Sequence, residues 1–270
     1  MLTTPYDIAY NRMKETLITK HGSCGMGVGA TMKRHIETPF KLFAQDLLFN
    51  AGLRQKLINI KGYYIRMMSD RELVLFKKIL EEDNLETIFL GDVCSPQWAW
   101  PFQISDVDVN KYHDVVFEGS QGIMLDMDHG IFPNVTYANT TIKNAVKFCN
   151  ERKIRLNDIH YVTRCYTTRH GEGWMPNEGS IELINTEEEI NVTNEWQGGF
   201  RLGEIDYDML RNALAVDENY HPQYQVKKHL KIACLDQRPD FEFLVQKLKR
   251  DFNTILGGYS AVRGNYKEIA

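Results

Sequence analysis

Segments typical of strands and segments typical of helices alternate along the second half of this chain, and this constrains its fold more than any other feature. Three short runs rich in β-forming residues cover positions 114–117, 159–164 and 231–235, each followed by polar or glycine-containing residues. Helical patterns lie at 142–150, 207–215 and 241–252. The alternation predicts an α/β fold, with a mostly parallel sheet flanked by helices and ligand loops at the carboxyl ends of strands.

The first third of the chain has a different pattern. Apolar and charged residues recur at helical spacing over roughly 38–90, which predicts a helical lobe near the N-terminus. With 270 residues, of which 43% are hydrophobic, the chain can bury a sizeable core. Because no repeat, low-complexity tract or linker interrupts it, we expect one domain spanning 1–270.

Charge and cysteine content exclude some classes of protein. A net charge of −4 gives no overall attraction to nucleic acid or anionic membranes. The five cysteines are an odd number without CxxC spacing, which is typical of reduced thiols packed as small apolar residues. The sequence has neither a secretion signal nor an apolar run that could span a bilayer. We therefore expect a cytoplasmic protein.

Residues 117–141, FEGSQGIMLDMDHGIFPNVTYANTT, have the composition of a ligand-binding loop. Gly119 and Gly122 flank Gln121, so the backbone there is free to approach a ligand closely. The Gln121 amide can both donate and accept, which suits contact with a base edge and stabilisation of a displaced oxygen. Asp126 and Asp128 either bind Mg²⁺ or cap the helix after them, and capping with solvation is favoured.

A glycine-rich loop at 22–29 is the second candidate. Its backbone N–H groups suit phosphate or carbonyl oxygens, with Ser23 and Cys24 as side-chain contacts. A loop that crosses tightly beneath a neighbouring element has the same composition. Agreement in order with two other motifs, given below, favours the ligand-binding interpretation over the tight crossing.

Three stretches together resemble the adenylosuccinate synthetase family, in order and spacing. They are HGSCGMGVG at 21–29, the 117–141 loop, and YTTRHGEGWMPNE at 166–178. Members of that family join aspartate to a purine nucleotide base. The resemblance implies a ligase of purine nucleotide biosynthesis with the family's α/β fold.

The resemblance also implies roles for particular residues. Gln121 matches the glutamine that acts in catalysis on the base, and Arg169 is expected near the base or sugar. Cys24 stands where the family has a phosphate-contacting threonine, and His170 replaces a small apolar residue. The expected nucleotide-binding residues are Ser23, Cys24, Gly25, Gln121, Thr136, Arg169 and His170.

The expected amino-acid site departs from the family pattern. Where the family has several arginines, residues 195–206 read EWQGGFRLGEID and retain only Arg201. One guanidinium clamps one carboxylate, so the amino acid need not be the dicarboxylate aspartate. Farther on, Asp236 and Ser260 resemble guanine contacts of a GTP site, since a carboxylate accepts from the guanine N1–H and amino group.

The phosphate-gripping motif of the family is not found in the sequence. No G-x-x-x-x-G-K-[ST] pattern occurs in the 270 residues, and the family's catalytic aspartate and histidine precede the region that the resemblance covers. We expect a partner subunit to supply the triphosphate site, with its nucleoside triphosphate and Mg²⁺, and no metal site in this chain. The resemblance also implies a homodimer, although Thr38 stands where the family has an arginine that crosses between subunits.

Three functions follow from these observations. The first is an adenylosuccinate synthetase-like enzyme that joins an amino-acid amine to a phosphoryl-activated nucleotide base such as that of IMP. The second is an amino-acid transferase acting on an already phosphorylated base in DNA, as in phage-type DNA modification. The third is a non-catalytic nucleotide-binding subunit. An enzyme is favoured over a binding subunit.

Overall fold

The computed structural model describes residues 1–18, 22–48, 50–94, 108–184, 196, 198–238, 240–258 and 266–269. The chain divides into two compact units. The first comprises residues 1–115, 136–138 and 194–198, and the second comprises 116–135, 139–193 and 199–270. Two compact units can belong to one domain, so the single domain expected over 1–270 stays a prediction.

The first unit is helical. Its helices are α1 (Pro5–Leu17), α2 (Val28–Glu37), α3 (Asn50–Met67), α4 (Asp70–Glu82) and α5 (Leu85–Cys94). Thr4 is the N-cap of helix α1, since its side chain accepts from the Asp7 backbone N–H while the Asp7 carboxylate accepts from the Thr4 backbone N–H. The helical lobe expected over 38–90 is confirmed in α3 to α5, and α1 packs against the same core.

A fully buried ion pair lies at the centre of this unit. The Arg34 guanidinium donates from Nε and Nη2 to the two Asp7 carboxylate oxygens, both at 2.8 Å, and neither side chain is exposed. The Tyr64 hydroxyl donates to the same carboxylate at 2.6 Å. Truncating one partner of such a pair leaves a buried charge without compensation, so Arg34 and Asp7 are structural. Thr38 donates to the Arg34 carbonyl just after α2.

The second unit is an α/β sandwich. In chain order it has α6 (Lys143–Arg152), β1 (Asp158–Arg164), β2 (Thr167–His170), β3 (Phe200–Gly203), α7 (Tyr207–Glu218), β4 (Lys227–Ala233), α8 (Phe241–Leu248), β5 (Thr254–Gly258) and β6 (Tyr266–Glu268). One sheet has the order β1-β4-β5-β6, parallel except for the last pair, and β2 pairs antiparallel with β3. The predicted α/β fold with a mostly parallel sheet is therefore confirmed.

The sequence located most elements of this unit to within a few residues. The predicted strand at 159–164 is β1, and the predicted helices are α6, α7 and a shorter α8. The third predicted strand was placed too late, because β4 begins at Lys227 and residues 235–237 form a 3₁₀ turn.

The predicted strand at 114–117 is wrong. These residues have no regular secondary structure, no described strand pairs with them, and Val116 is 88% exposed. Three β-forming residues do not make a strand unless a neighbour satisfies their backbone N–H and C=O groups. Phe117 instead packs edge-on against Phe148 of α6. Gln121 therefore follows an irregular segment rather than the carboxyl end of a strand.

In the described parts of the chain, no helix combines the length and apolarity needed to cross a membrane.

Candidate functional site

The buried carboxylate of Asp126 organises the loop that carries Gln121. It is fully buried and accepts from the backbone N–H groups of Asp128 (2.8 Å), Thr140 (2.6 Å) and Thr141 (3.3 Å). Burial acts to raise the pKa of Asp126, but these N–H donors outweigh it, and the pKa is lowered. Thr140 also donates to the Gly122 carbonyl at 2.9 Å. Asp126 therefore joins the middle of the loop to its C-terminal end, and Thr140 joins that end to Gly122 beside Gln121.

Gln121 is exposed and adopts a backbone conformation that is uncommon for a residue other than glycine. Its φ of 65° lies in the left-handed region. Neither Gly119 nor Gly122 is crowded, since a Cβ at either position would meet nothing within 4 Å. The glycines therefore leave space around Gln121, as expected, while the glutamine itself carries the unusual dihedral. Backbone strain of this kind concentrates at functional sites.

Asp128 and His129 have partners within the loop region. Asp128 accepts from Lys143 at 2.9 Å and from Asn139 at 2.7 Å, and the His129 Nε2 lies 2.5 Å from the Tyr220 hydroxyl. Among the residues that the structure describes, no three carboxylate, histidine or cysteine groups are arranged to hold a metal ion. Since Asp126 already accepts several N–H donors, the pair of aspartates does not fit Mg²⁺. The predicted helix cap is wrong as well, because α6 has Ile142 at its N-cap without a side-chain cap.

Arg169 fastens two loops together. Its Nε donates to the Glu172 carbonyl and its Nη2 to the Asn134 carbonyl, both at 2.9 Å. Gly173 approaches Asn134 so closely that a Cβ there would lie 2.7 Å from the Asn134 Cβ. Burial, and then the charge of Arg201, lower the pKa of the guanidinium. Arg169 thus holds the 117–141 loop against the turn after β2.

Arg201 lies opposite Arg169 in the β2–β3 ribbon and is paired with Glu178. Its Nε donates to one Glu178 oxygen at 2.6 Å, and its Nη2 contacts the other oxygen of the same carboxylate. Its Nη1 donates to the carbonyls of Gly171 (2.7 Å) and Gly173 (2.8 Å). The guanidinium that the sequence assigned to an amino-acid carboxylate therefore holds a carboxylate of its own chain.

His170 lies beside the phenyl ring of Phe200, with ring centroids 4.9 Å apart. Its Nδ1 is buried and has no hydrogen-bond partner among the described residues. The Arg164 guanidinium lies 5.6 Å from the centroid of the same ring. Phe200 therefore packs against both His170 and Arg164.

Asp236 is exposed on the 3₁₀ turn that follows β4. Its carboxylate accepts from the neighbouring Gln237 amide at 3.3 Å. The position at the carboxyl end of a parallel strand is typical of ligand contacts in open α/β sheets. Ser260, the second expected guanine contact, lies outside the described residues.

The glycine-rich loop belongs to the first unit and packs tightly there. Gly27 has φ 74°, and a Cβ on it would lie 2.6 Å from the Ile8 backbone nitrogen in α1. Gly25, with φ 70°, faces the indole of Trp196. The Ser23 hydroxyl donates to the Asn11 side chain at 3.0 Å, whereas Cys24 is exposed. The tight crossing beneath a neighbouring element is thus present at Gly27, and Cys24 faces solvent.

The expected site residues divide between the two units. Ser23, Cys24, Gly25 and Thr136 belong to the first unit. The others that are described belong to the second unit: Gln121, Arg169, His170, Arg201 and Asp236. In the second unit the structure brings Arg169, His170 and Arg201 together on the β2–β3 ribbon. Every role assigned to these residues stays a prediction.

Two residues that matter to this geometry were not identified in the sequence. Glu178 and Asn134 were missed because their partners are 23 and 35 positions away. Glu178 follows Asn177, and nothing in the surrounding sequence indicates that it forms an ion pair. Only the ribbon register, which sets Arg169 opposite Arg201, brings these groups together.

Comparisons with known proteins agree with this fold. The sequence profile of the family described as adenylosuccinate synthetase matches residues 1–226. Asp236 and Ser260 lie beyond that range. The adenylosuccinate synthetase of Streptomyces coelicolor is 27% identical over 182 residues, which cover 66% of this chain and 42% of that protein. The Francisella philomiragia enzyme is 31% identical over 180 residues, covering 65% and 41%.

A solved structure has a similar fold. The fully ligated adenylosuccinate synthetase from Plasmodium falciparum matches with a TM-score of 0.55 and 18% identity, over 87% of this chain and 54% of that one. The chain spans about two fifths of the length of the curated relatives quoted above. Because the family profile matches well over half of its residues, this chain belongs to the adenylosuccinate synthetase family.

Proposed function

We propose that this chain binds a purine nucleotide such as IMP and an amino acid, and joins the amino-acid amine to the phosphoryl-activated base. The observation that carries the proposal is the geometry of Gln121. Gln121 is exposed on a loop held by the buried Asp126 carboxylate. Its backbone φ of 65° costs conformational energy for any residue other than glycine. Family membership supports the same chemistry.

Gln121 would act on the oxygen of the base. Phosphoryl transfer to that oxygen makes it a leaving group, and attack of the amine on the base carbon then releases phosphate. An amide that donates to this oxygen stabilises the charge that develops on it during displacement. Because the Asp126 hydrogen bonds hold the loop before any ligand arrives, the donor needs little reorganisation.

The rest of the nucleotide has further candidate contacts in the sequence. Arg169 and His170 are the candidates for the base or sugar, while Ser23, Cys24, Gly25 and Thr136 are the candidates for the phosphate. The exposed Cys24 thiol is a weaker donor than a hydroxyl. We therefore expect phosphate to add less affinity here than a threonine at that position would give.

A GTP site would need residues beyond those assigned here. Asp236 is positioned to accept from a guanine edge, with Ser260 as the second contact. We propose that the triphosphate and its Mg²⁺ are held by residues outside this sequence, on a partner subunit. Among the described residues no metal cluster fits that ion, so no step is assigned to it here.

Calorimetric titration with IMP tests the proposal. We expect micromolar binding by the purified chain and a loss of about tenfold or more in Gln121→Ala, equivalent to about 1.4 kcal/mol. Gln121→Gly removes the amide while relieving the left-handed backbone. A similar loss in both variants would assign the affinity to the amide rather than to loop distortion.

Gln225→Ala is the matched control, because Gln225 is also an exposed glutamine of the second unit and lies outside the 117–141 loop. It should bind IMP as the wild type does. No binding by the wild type, or equal loss in the Gln225 and Gln121 variants, would contradict the proposal.

A further inference from the structure

The Glu178 carboxylate occupies one edge of the Arg201 guanidinium, which projects from the β2–β3 ribbon. Nε and Nη2 both face the Glu178 carboxylate, and Nη1 is held by the carbonyls of Gly171 and Gly173. A planar guanidinium presents this same Nε–Nη2 edge to any carboxylate that it binds bidentately. A ligand carboxylate can therefore reach this edge only by replacing Glu178.

Such a replacement does not require the backbone to move. The Gly179 N–H donates to the Leu202 carbonyl at 2.8 Å, and Glu178 bridges to Gly203 across the ribbon, so the main chain beside Glu178 is fixed independently of its side chain. The Glu178 side chain is 47% exposed and that of Arg201 is 24% exposed. A half-exposed carboxylate can rotate into water, unlike the fully buried Asp7–Arg34 pair.

The charges around Arg201 restrict which ligand can take its place. Glu178 reduces the positive charge of the site while it is paired with Arg201, and after displacement it still lies beside Arg201. The Glu172 carboxylate also lies within electrostatic range of Arg201. Arg169, the neighbouring guanidinium, donates to two backbone carbonyls. A second ligand carboxylate would thus meet two negative side chains and, in Arg169, a cation whose Nε–Nη2 edge is already used. An ammonium group would be attracted to the two carboxylates.

We propose that the Glu178 carboxylate occupies the place of the substrate carboxylate at Arg201 until the substrate displaces it. Glu178 thereby closes the Arg201 site, and the site admits an amino acid with a single carboxylate in preference to a dicarboxylate. This rests on the proposed function for the identity of the site. It adds the substrate class, an α-amino acid without an acidic side chain, and it makes Glu178 a specificity-determining residue.

Chemical protection of Arg201 tests the inference without any turnover. Phenylglyoxal modifies guanidinium groups, and peptide mass spectrometry of the full chain gives the rate at each arginine. Glu178→Gln should raise the rate at Arg201 about two- to fivefold, the range expected when a half-exposed ion pair is removed. Glycine should then slow modification of Arg201, more in this variant than in wild type. Aspartate should protect less than glycine, and methylamine should not protect.

Arg238 gives a matched control within the same unit. It forms a fork with Asp240 at 2.8 and 2.9 Å, and its side chain is 22% exposed. Asp240→Asn should expose Arg238 to the reagent, leave Arg201 unchanged and create no protection by glycine. Glu178→Asp, which keeps the charge on a shorter side chain, should fall between wild type and Glu178→Gln, and circular dichroism checks that each variant is folded.

An unchanged Arg201 rate in Glu178→Gln would overturn the inference. So would equal protection of Arg201 and Arg238 by glycine, since this would be a general effect of anions, and so would stronger protection by aspartate than by glycine. The IMP titration is a separate measurement. If IMP fails to bind while glycine protects Arg201, the nucleotide function is wrong and the carboxylate exchange stands.

Discussion

At the scale of single residues, Asp126 does the most to hold the candidate site. Replacing it with Asn keeps the shape but removes the charge and sets an NH₂ group against backbone N–H donors. We expect Asp126→Asn to lower the free energy of unfolding by about 2 kcal/mol, as for hydrogen bonds to a charged group. Asp128→Asn, which changes an exposed partner of Lys143, should cost less than about 1 kcal/mol. Urea unfolding followed by circular dichroism measures both, and equal costs would contradict this role.

The same variant has a defined pH dependence. Folding lowers the pKa of Asp126, so its carboxylate stabilises the fold above its unfolded pKa, about 3.9, and that contribution is lost as pH falls through the lower folded pKa. The difference between wild type and Asp126→Asn should shrink on acidification. Asp217 is the opposite case, because burial raises its pKa. The cost of Asp217→Asn should therefore grow as the pH falls.

Residue identities were easier to predict than residue partners. The glycine-flanked Gln121 was recognisable because composition alone indicates a loop open to ligands. The left-handed conformation of the glutamine itself was not recognisable, since residues other than glycine rarely adopt it and the local sequence does not indicate it. Arg201 was likewise recognisable as a group that can bind a carboxylate, whereas its ion pair with Glu178 depends on the strand register. Contacts of long sequence separation leave no local pattern to read.

At the scale of elements, the glycine-rich loop before α2 is limited by its packing on α1. We expect Gly27→Ala to destabilise the chain by at least about 1–2 kcal/mol, because a side chain is strained at φ 74° and its Cβ would meet the Ile8 backbone. Gly91→Ala in α5 is the control, since a Cβ there meets nothing within 4 Å. It should stabilise by about 0.5–1 kcal/mol. Thermal unfolding compares the two, and a neutral Gly27→Ala would contradict the packing argument.

Periodicity located helices better than strands. Helices α6 and α7 carry their own apolar stripe and hydrogen bonds, so the local sequence suffices to find them. A strand exists only beside another strand, which is why the residues at 114–117 form no strand and remain exposed. The start of β4 was missed for a related reason, since Lys227 and Lys228 do not look apolar yet pair in register with β1.

At the scale of the whole molecule, the central claim is that the 117–141 loop and the turn after β2 form a nucleotide site. Residues from both parts meet through Arg169, Asn134 and Gly173. The family profile covers this region, and the α/β fold with its helical lobe agrees with the fold of the Plasmodium falciparum structure. Binding of the nucleotide by this chain needs a direct measurement.

Hydrogen–deuterium exchange of the full chain, with and without saturating IMP, is that measurement. We predict slower exchange in peptides covering 117–141 and 167–173, and unchanged exchange in α4, where no site residue is expected. Protection confined to other regions, or no protection at an IMP concentration that saturates the calorimetric signal, would contradict it.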